Sequence, residues 1–351
     1  MRTLLSVLLI GVPVTLILSL VGVSEGMSED AQHRNRAIGA DIVVRPSTAT
    51  AAINYSGSPL SEGYIRALEE QPHVKMALGT IAYNIDWPLN MIGIDMTRFN
   101  AFSGGFKYLE GGPLRQPYDM LLDQPYAEQR KKHVGDTLSL LNHEWHIVGI
   151  IEPGMLARVA VAKTTLQELT DAVHHISVIW VKVDDPARAD AVASQLSQQF
   201  PNLRIETMSS YTSLFSPNNI AQVRVFRYVV IGIGVVIAFA VVCLTMYMAV
   251  LQRTREIGIL KSLGGSKAFI VRVMLTEAAV LGVGGTILGV LLSYGARWAI
   301  NTFVPASFPM IIVQAWWPKA FLIAEAAALF GALYPGLTAA AHDPIEALAY
   351  E

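Results

Sequence analysis

Four long apolar runs alternate with polar stretches along the 351-residue chain. The runs lie at residues 4–23, 225–251, 278–300 and 320–341. Because an α-helix rises 1.5 Å per residue, about 20 apolar residues cross the ~30 Å hydrocarbon layer of a bilayer. The pattern therefore predicts four transmembrane helices. The composition agrees, since only 15% of the residues are charged, against about 25% in ordinary soluble domains.

The region between the first two runs has a different pattern. Short β-rich runs bounded by turn residues predict strands within 37–47 and at 74–85, 89–94, 120–123, 137–141, 144–151, 158–162 and 176–183. Helical spacing of apolar residues predicts helices at 59–71, 125–133 and 186–199. The turn Val134-Gly-Asp136 needs the conformational freedom of glycine. We expect an α+β domain in two lobes, in which the first and last segments flank a middle part around 95–155.

The predicted fold is an α-helical membrane protein with four transmembrane helices and an α+β extracytoplasmic domain inserted between helices 1 and 2. The expected boundaries are 1–24 for helix 1, 25–222 for the domain, 223–251 for helix 2 with a stalk at 223–228, 252–275 for a cytoplasmic coupling segment, 276–301 for helix 3, 302–317 for an outer loop, 318–341 for helix 4 and 342–351 for a cytoplasmic tail.

The first apolar run could be a cleaved signal peptide or a retained anchor. It is longer than the 7–15 residues of a signal-peptide core, and no convincing cleavage site follows it. We therefore expect an uncleaved signal-anchor.

A basic segment separates the second and third runs. Its net charge is +4, from one acid, Glu256, and five cations: Arg253, Arg255, Lys261, Lys267 and Arg272. Short basic loops between spans stay in the cytoplasm. This places both termini in the cytoplasm and the α+β domain outside a cell (inner) membrane.

The basic segment also has helical periodicity, through Ile257, Leu260, Leu263 and Ile270. Such an amphipathic helix either lies on the bilayer or docks on a soluble protein. Glu256 favours docking, because an acid gains little at an anionic membrane surface and can pair with a basic residue of a partner.

Other motifs argue against catalysis by this chain. The run from Gly258 to Lys267 lacks the Gly-Lys-Ser/Thr order of a phosphate loop, so we expect no nucleotide site. His143 and His146 would face opposite sides of a strand, which disfavours a metal site. We expect no catalytic, cofactor or metal-binding residues and no nucleic-acid partner. The single cysteine, Cys243, excludes an intrachain disulfide.

Two features lie within the predicted spans. Gly285, Gly289 and Ser293 form a small-residue face that predicts close helix packing. Arg297 and Glu325 are ionisable residues at membrane depth, and we consider them a possible intramembrane pair.

The chain resembles the permease subunits of FtsX/MacB-like ABC transporters, the mechanotransmission type that includes lipoprotein-releasing, DevC-like and heme-exporter permeases. The resemblance is carried by Gly39-Ala-Asp-Ile-Val-Val44, by Val134-Gly-Asp-Thr137 leading to Ile147-Val-Gly-Ile150, by Gln252-Arg-Thr-Arg-Glu-Ile-Gly-Ile-Leu-Lys-Ser-Leu-Gly264, and by the ending Asp343-Pro-Ile-Glu-Ala-Leu-Ala-Tyr-Glu351. Family members commonly have a basic amphipathic helix before the first span. The sequence here starts almost directly in that span, which is one departure from the family pattern.

The resemblance implies a dimer, a homodimer or a heterodimer with a second permease, that binds separate ATPase subunits holding ATP and Mg. It implies that the coupling element contains Arg253, Arg255, Glu256, Gly258, Lys261 and Gly264. Membrane lipids are further expected partners, and a periplasmic adaptor is a possible one.

The function implied is export or extraction of a lipid, lipoprotein, peptide or hydrophobic small molecule, driven by a partner ATPase. Two alternatives stay open at this point. One is a non-transporting mechanotransducer that activates a cell-wall hydrolase, and the other is a membrane sensor without an ATPase.

The predicted orientation can be tested with one engineered cysteine. In a Cys243→Ser background, Ser262→Cys should react with a membrane-impermeant maleimide in inverted vesicles and not in intact cells, because the basic segment is predicted to be cytoplasmic. Ser194→Cys in the predicted outer domain is the matched control and should react in intact cells. The reversed labelling pattern would contradict the topology.

Overall fold

The computed structural model describes residues 2–48, 60–86, 89–216, 219, 221–252, 254–263, 265–304 and 308–341. The chain divides into two compact units. The helical unit comprises Met1–Gly26, Ala221–Val304 and Met310–Glu351, and the sheet unit comprises Met27–Ile220 and Pro305–Pro309.

The helices are α1 (Arg2–Arg36), α2 (Gly63–Glu69), α3 (Met96–Ser103), α4 (Gln124–Arg130), α5 (Lys163–Leu169), α6 (Ala189–Gln199), α7 (Met208–Ser213), α8 (Ala221–Gln252), α9 (Thr254–Ser262), α10 (Lys267–Phe303) and α11 (Trp317–Ala341). The strands are β1 (Ile42–Pro46), β2 (Leu60–Ser61), β3 (Val74–Asp86), β4 (Leu89–Ile94), β5 (Tyr108–Gly111), β6 (Asp119–Asp123), β7 (Thr137–Leu140), β8 (His143–Ile151), β9 (Val159–Ala162), β10 (His175–Ile176), β11 (Val178–Val183) and β12 (Leu203–Thr207).

Within the described residues, four helices are long and apolar enough to cross a membrane: Ser6–Arg36, Arg224–Gln252, Lys267–Phe303 and Gln314–Ala341. They contain the four apolar runs apart from residues 4 and 5, and the predicted fold class is confirmed. Two of them are longer than predicted. The helix of the first span continues to Arg36, and that of the third begins at Lys267, where Ser266 caps it by accepting a hydrogen bond from the Phe269 N–H at 3.2 Å.

The sheet unit is built on one mixed sheet with the strand order β12-β1-β11-β3-β4-β9-β6-β8-β5, and β7 pairs with β8. Strand β3 pairs with β11 through its first half, up to Thr80, and with β4 from Ile81 onward. The two predicted lobes are therefore two halves of a single sheet that share β3. The second half includes β4 and β9, so it extends beyond the predicted 95–155.

Both faces of this sheet are buried. On β1, Ile42 and Val44 pack against the side covered by α2 and α6, and Val43 packs on the opposite side with Trp180 and Phe99. A third cluster around Trp145 covers the second half of the sheet beneath α4 and α5. Side chains alternate between the two faces of a strand, so burial of both faces requires strands that are apolar at nearly every position.

Local conformations explain several boundaries. Gly135 has φ +96°, which confirms the predicted glycine turn, and the Asp136 carboxylate accepts a hydrogen bond from the His133 N–H at 2.9 Å. The predicted helix 59–71 is shorter, because Leu60–Ser61 pairs with β10 as a strand. The predicted helix 186–199 begins with a 3₁₀ turn at Pro186–Arg188.

Because Leu78 is buried in the sheet, replacing it should destabilise the protein much more than replacing an exposed leucine of the same unit. Leu78→Ala should lower the free energy of unfolding by about 2–5 kcal/mol, because it leaves a cavity at a fully buried position. Leu109→Ala is the control, since Leu109 is 47% exposed. Urea unfolding of the full chain in detergent, followed by near-UV circular dichroism, measures both; equal shifts would contradict this description of the core.

Candidate functional site

Helix α9 is a short helix between α8 and α10. Ile257 anchors it, because this side chain is 7% exposed and packs in a core with Val250 of α8 and with Ile270 and Met274 of α10. Ile257 therefore attaches the helix to the helical unit.

Exposed residues lie on another side of α9 and directly after its end. Glu256 is exposed, Ile259 and Leu260 are 44% and 43% exposed, and Leu263 is 79% exposed. We call these four residues the α9 outer face. A row of exposed aliphatic side chains beside an acid is typical of a surface that contacts another molecule.

The helical spacing predicted one amphipathic helix with Ile257, Leu260, Leu263 and Ile270 on its apolar face. This prediction is wrong. Helix α9 ends at Ser262, and the Gly265 N–H donates to the Leu260 carbonyl at 2.9 Å, so the chain turns and α10 begins. Ile257 and Ile270 face the core, whereas Leu260 and Leu263 face outward. The helical periodicity is interrupted by this turn.

The structure places most predicted coupling residues on α9. Arg255, Glu256, Gly258 and Lys261 belong to this helix, whereas Arg253 and Gly264 lie outside the described residues. Lys267 and Arg272 belong to α10 and are exposed, so the helix that contains the third apolar run begins within the predicted coupling segment 252–275.

The small-residue face of α10 contacts α1. A Cβ at Gly285 would lie 2.7 Å from Ile10 Cβ, and one at Gly289 would lie 2.6 Å from Val14 Cβ and 2.9 Å from the Gly11 carbonyl oxygen. Thr15 of α1 donates a hydrogen bond to the Gly289 carbonyl at 3.2 Å. Ser293 is buried one turn further along α10. Gly11 belongs to the same contact and was missed by the sequence analysis, although it is a small residue within the first apolar run.

The structure does not bring Arg297 and Glu325 together. The Glu325 carboxylate lies against Gly282 of α10, and its Oε2 is buried without a hydrogen-bond partner among the described residues. Arg297 is exposed and lies 15 residues further along α10, which is about 22 Å at the helical rise. The suggested intrachain pair is therefore wrong, because the crossing of α10 and α11 brings Glu325 to a different turn.

Comparisons with known proteins identify the class. The FtsX-like permease C-terminal family matches residues 228–344, and the MacB-like periplasmic core domain family matches residues 3–199. The chain is a multi-pass ABC transporter permease. It belongs to the FtsX/MacB-like family, whose two characteristic regions it contains in the expected order.

Individual relatives cover the chain to different extents. The macrolide export ATP-binding/permease protein MacB of Salmonella typhi is 25% identical over 386 residues, covering 100% of this chain and 58% of that protein. The ABC transporter permease YtrF of Bacillus subtilis is 38% identical over 95 residues, covering 27% of this chain and 22% of that protein. The chain thus spans less than two thirds of either relative.

A solved structure of the periplasmic region of MacB from Actinobacillus actinomycetemcomitans covers 51% of this chain and 94% of its own, with 14% identity and a TM-score of 0.38. The family assignment rests on the sequence matches, because this structural score is low.

The close contact of α1 and α10 predicts unequal effects of two identical substitutions. Gly285→Val should lower the thermal unfolding midpoint in detergent, because a side chain at Gly285 overlaps Ile10; overpacking of this kind costs about 1–3 kcal/mol. Gly295→Val on the same helix is the control, since a Cβ there meets nothing within 4 Å. Equal midpoints for the two variants would show that α1 and α10 do not pack this way.

Proposed function

We propose that this permease couples the ATP cycle of an ATPase outside residues 1–351 to work by its sheet unit on the outer side of the membrane. Helix α9 is the coupling helix that docks in a groove of that ATPase. ATP and Mg belong to the partner, and this chain supplies the transmembrane path and the outer domain.

The observation that carries this proposal is the α9 outer face. Ile257 holds the helix in the core, so Glu256, Ile259, Leu260 and Leu263 are left on a fixed and exposed surface. A docking helix must be exposed to reach its partner, and it must be fixed, because a loosely attached coupling element would not transmit force to the spans. The aliphatic residues supply buried area in the complex, and Glu256 supplies a charge that selects a basic partner.

The comparisons support the existence of such a partner. The family consists of ABC transporter permeases, and the full-length MacB relatives are named as ATP-binding/permease proteins. We propose that the permease acts as a homodimer or heterodimer with its N- and C-termini in the cytoplasm. The spans then serve as levers, and a substrate tunnel through four helices is not required.

We propose that the sheet unit acts on a lipid, lipoprotein, peptide or hydrophobic small molecule at or beyond the outer leaflet, with or without an adaptor. Its two sheet halves belong to a unit of about 200 residues, Met27–Ile220 and Pro305–Pro309, with densely packed cores on both faces, and we expect this unit to move as one domain.

The docking role of α9 is tested by Glu256→Lys. The substitution should weaken association with the ATPase at least about tenfold, because it replaces an attractive charge with a repulsive one on the docking surface. Glu168→Lys is the matched control, since it makes the same charge change at an exposed position of α5. Copurification and stimulated ATP hydrolysis in reconstituted membranes measure the effect.

A bilayer-facing α9 would give a different result. Lysine at position 256 would strengthen contact with anionic lipid, and ATPase association would stay at the level of the Glu168→Lys control. That outcome would refute the coupling role of α9.

A further inference from the structure

The last turns of α1 belong to the sheet unit and are mostly polar. Residues 27–36 read Met-Ser-Glu-Asp-Ala-Gln-His-Arg-Asn-Arg, so only Met27 and Ala31 offer apolar surface. A helix end with so little apolar surface needs another means of attachment to the domain that it enters.

Four charged residues make that attachment. The Asp30 Oδ2 atom of α1 accepts from Arg34 Nε at 2.9 Å and from Arg158 Nη2 at 3.0 Å. The Asp123 Oδ2 atom accepts from Arg34 Nη2 at 2.8 Å and from Arg158 Nη1 at 3.1 Å. Each acid therefore contacts both arginines, and each arginine contacts both acids. We call these four residues the charge ring.

Three of the four members of the charge ring are buried. The side chains of Asp123, Arg34 and Arg158 are 1%, 7% and 8% exposed, and that of Asp30 is 31% exposed. Two carboxylates and two guanidinium groups cancel in net charge, which is the condition under which buried charges are tolerated. Removing one member leaves an uncompensated buried charge, so the ring acts as a unit.

The ring joins α1 to two strands. Asp123 is the last residue of β6 and caps α4 by accepting from the Tyr126 N–H at 3.1 Å, and Arg158 directly precedes β9. Two backbone bonds accompany it, from the Asp123 N–H to the Arg158 carbonyl at 2.9 Å and from the Leu156 N–H to the Arg34 carbonyl at 3.2 Å. The end of α1 is thus attached to β6 and β9, which pair with each other near the middle of the sheet.

Hydrogen-bonded ion pairs fix orientation more tightly than apolar contact does. A guanidinium group presents its donors in a rigid plane, so a ring of two arginines and two aspartates accepts one rotation and one axial position of α1. A small apolar contact would let the helix slide or roll. The chemistry of the ring therefore suits a contact that must transmit movement of α1 to β6 and β9.

We propose that the charge ring of Asp30, Arg34, Asp123 and Arg158 is the joint through which movement of α1 reaches the sheet unit. The inference rests on the proposed function, since it names the place where force from the membrane enters the outer domain. These four are positioning residues.

Attachment by the ring is tested first, without any ATPase. Asp30→Asn removes the most exposed member and is the variant that best preserves folding. Amide hydrogen exchange of the full chain should become at least about tenfold faster in residues 28–36, with no change in Val178–Val183. Glu29→Gln is the matched control, because Glu29 is exposed and adjacent. Unchanged exchange at 28–36 in Asp30→Asn would overturn the proposal.

A double variant separates the ring from a general effect on α1. In an Arg158→Met background, Asp30→Asn should accelerate exchange less than it does in the natural protein, because the two residues act through one contact. Additive effects would mean that Asp30 stabilises the helix independently of Arg158, which would also overturn the proposal.

Transmission is tested in the complex with the ATPase. ATP should change hydrogen exchange in the sheet unit of the natural permease and of Glu29→Gln, and this change should be lost in Asp30→Asn while ATP hydrolysis continues at its normal rate. Retention of the ATP-dependent change in Asp30→Asn would refute the ring as a joint. Absence of any ATP response in the natural permease would instead count against the proposed function, and the exchange at 28–36 would still decide whether the ring holds α1.

Discussion

The rest of the structure depends on the attachment of α1 at two places by two different interactions. Near its start, Gly11 lies against Gly285 and Gly289 of α10, where the lack of side chains lets the backbones approach closely. Near its end, the charge ring holds it in the sheet unit. The first interaction suits a lipid environment, in which small residues allow dense van der Waals packing. The second suits a protein interior, in which paired charges replace water.

Helix α9 shows how a short helix can be fixed to the protein core and still expose side chains for contact with another molecule. One aliphatic residue, Ile257, is buried in the helical core, and the neighbouring positions are exposed. The turn after Ser262 separates α9 from α10, so Leu263 lies just past the end of α9 and is not part of a helix continuous with α10.

Much of the architecture could be predicted from local patterns. The four apolar runs exceed the membrane thickness, and strand 89–94 was predicted to the residue because turn residues bound it. Short elements such as α3 and β12 were missed. The C-terminal part of α1 was also missed, since residues 27–36 carry no apolar periodicity. Its attachment depends on Asp123 and Arg158, which lie about 90 to 130 positions away in the chain.

The sequence by itself determined which segments can enter a bilayer, that a folded α+β region lies between the first two of them, and the family to which the chain belongs. These properties follow from hydrophobicity, periodicity and motifs, which act over a few neighbouring residues. Only the tertiary structure decided that Glu325 lies against Gly282 and not beside Arg297, and that two aspartates and two arginines close into a buried ring. Helix crossings and strand order bring distant residues together, and no local pattern specifies which partners will meet.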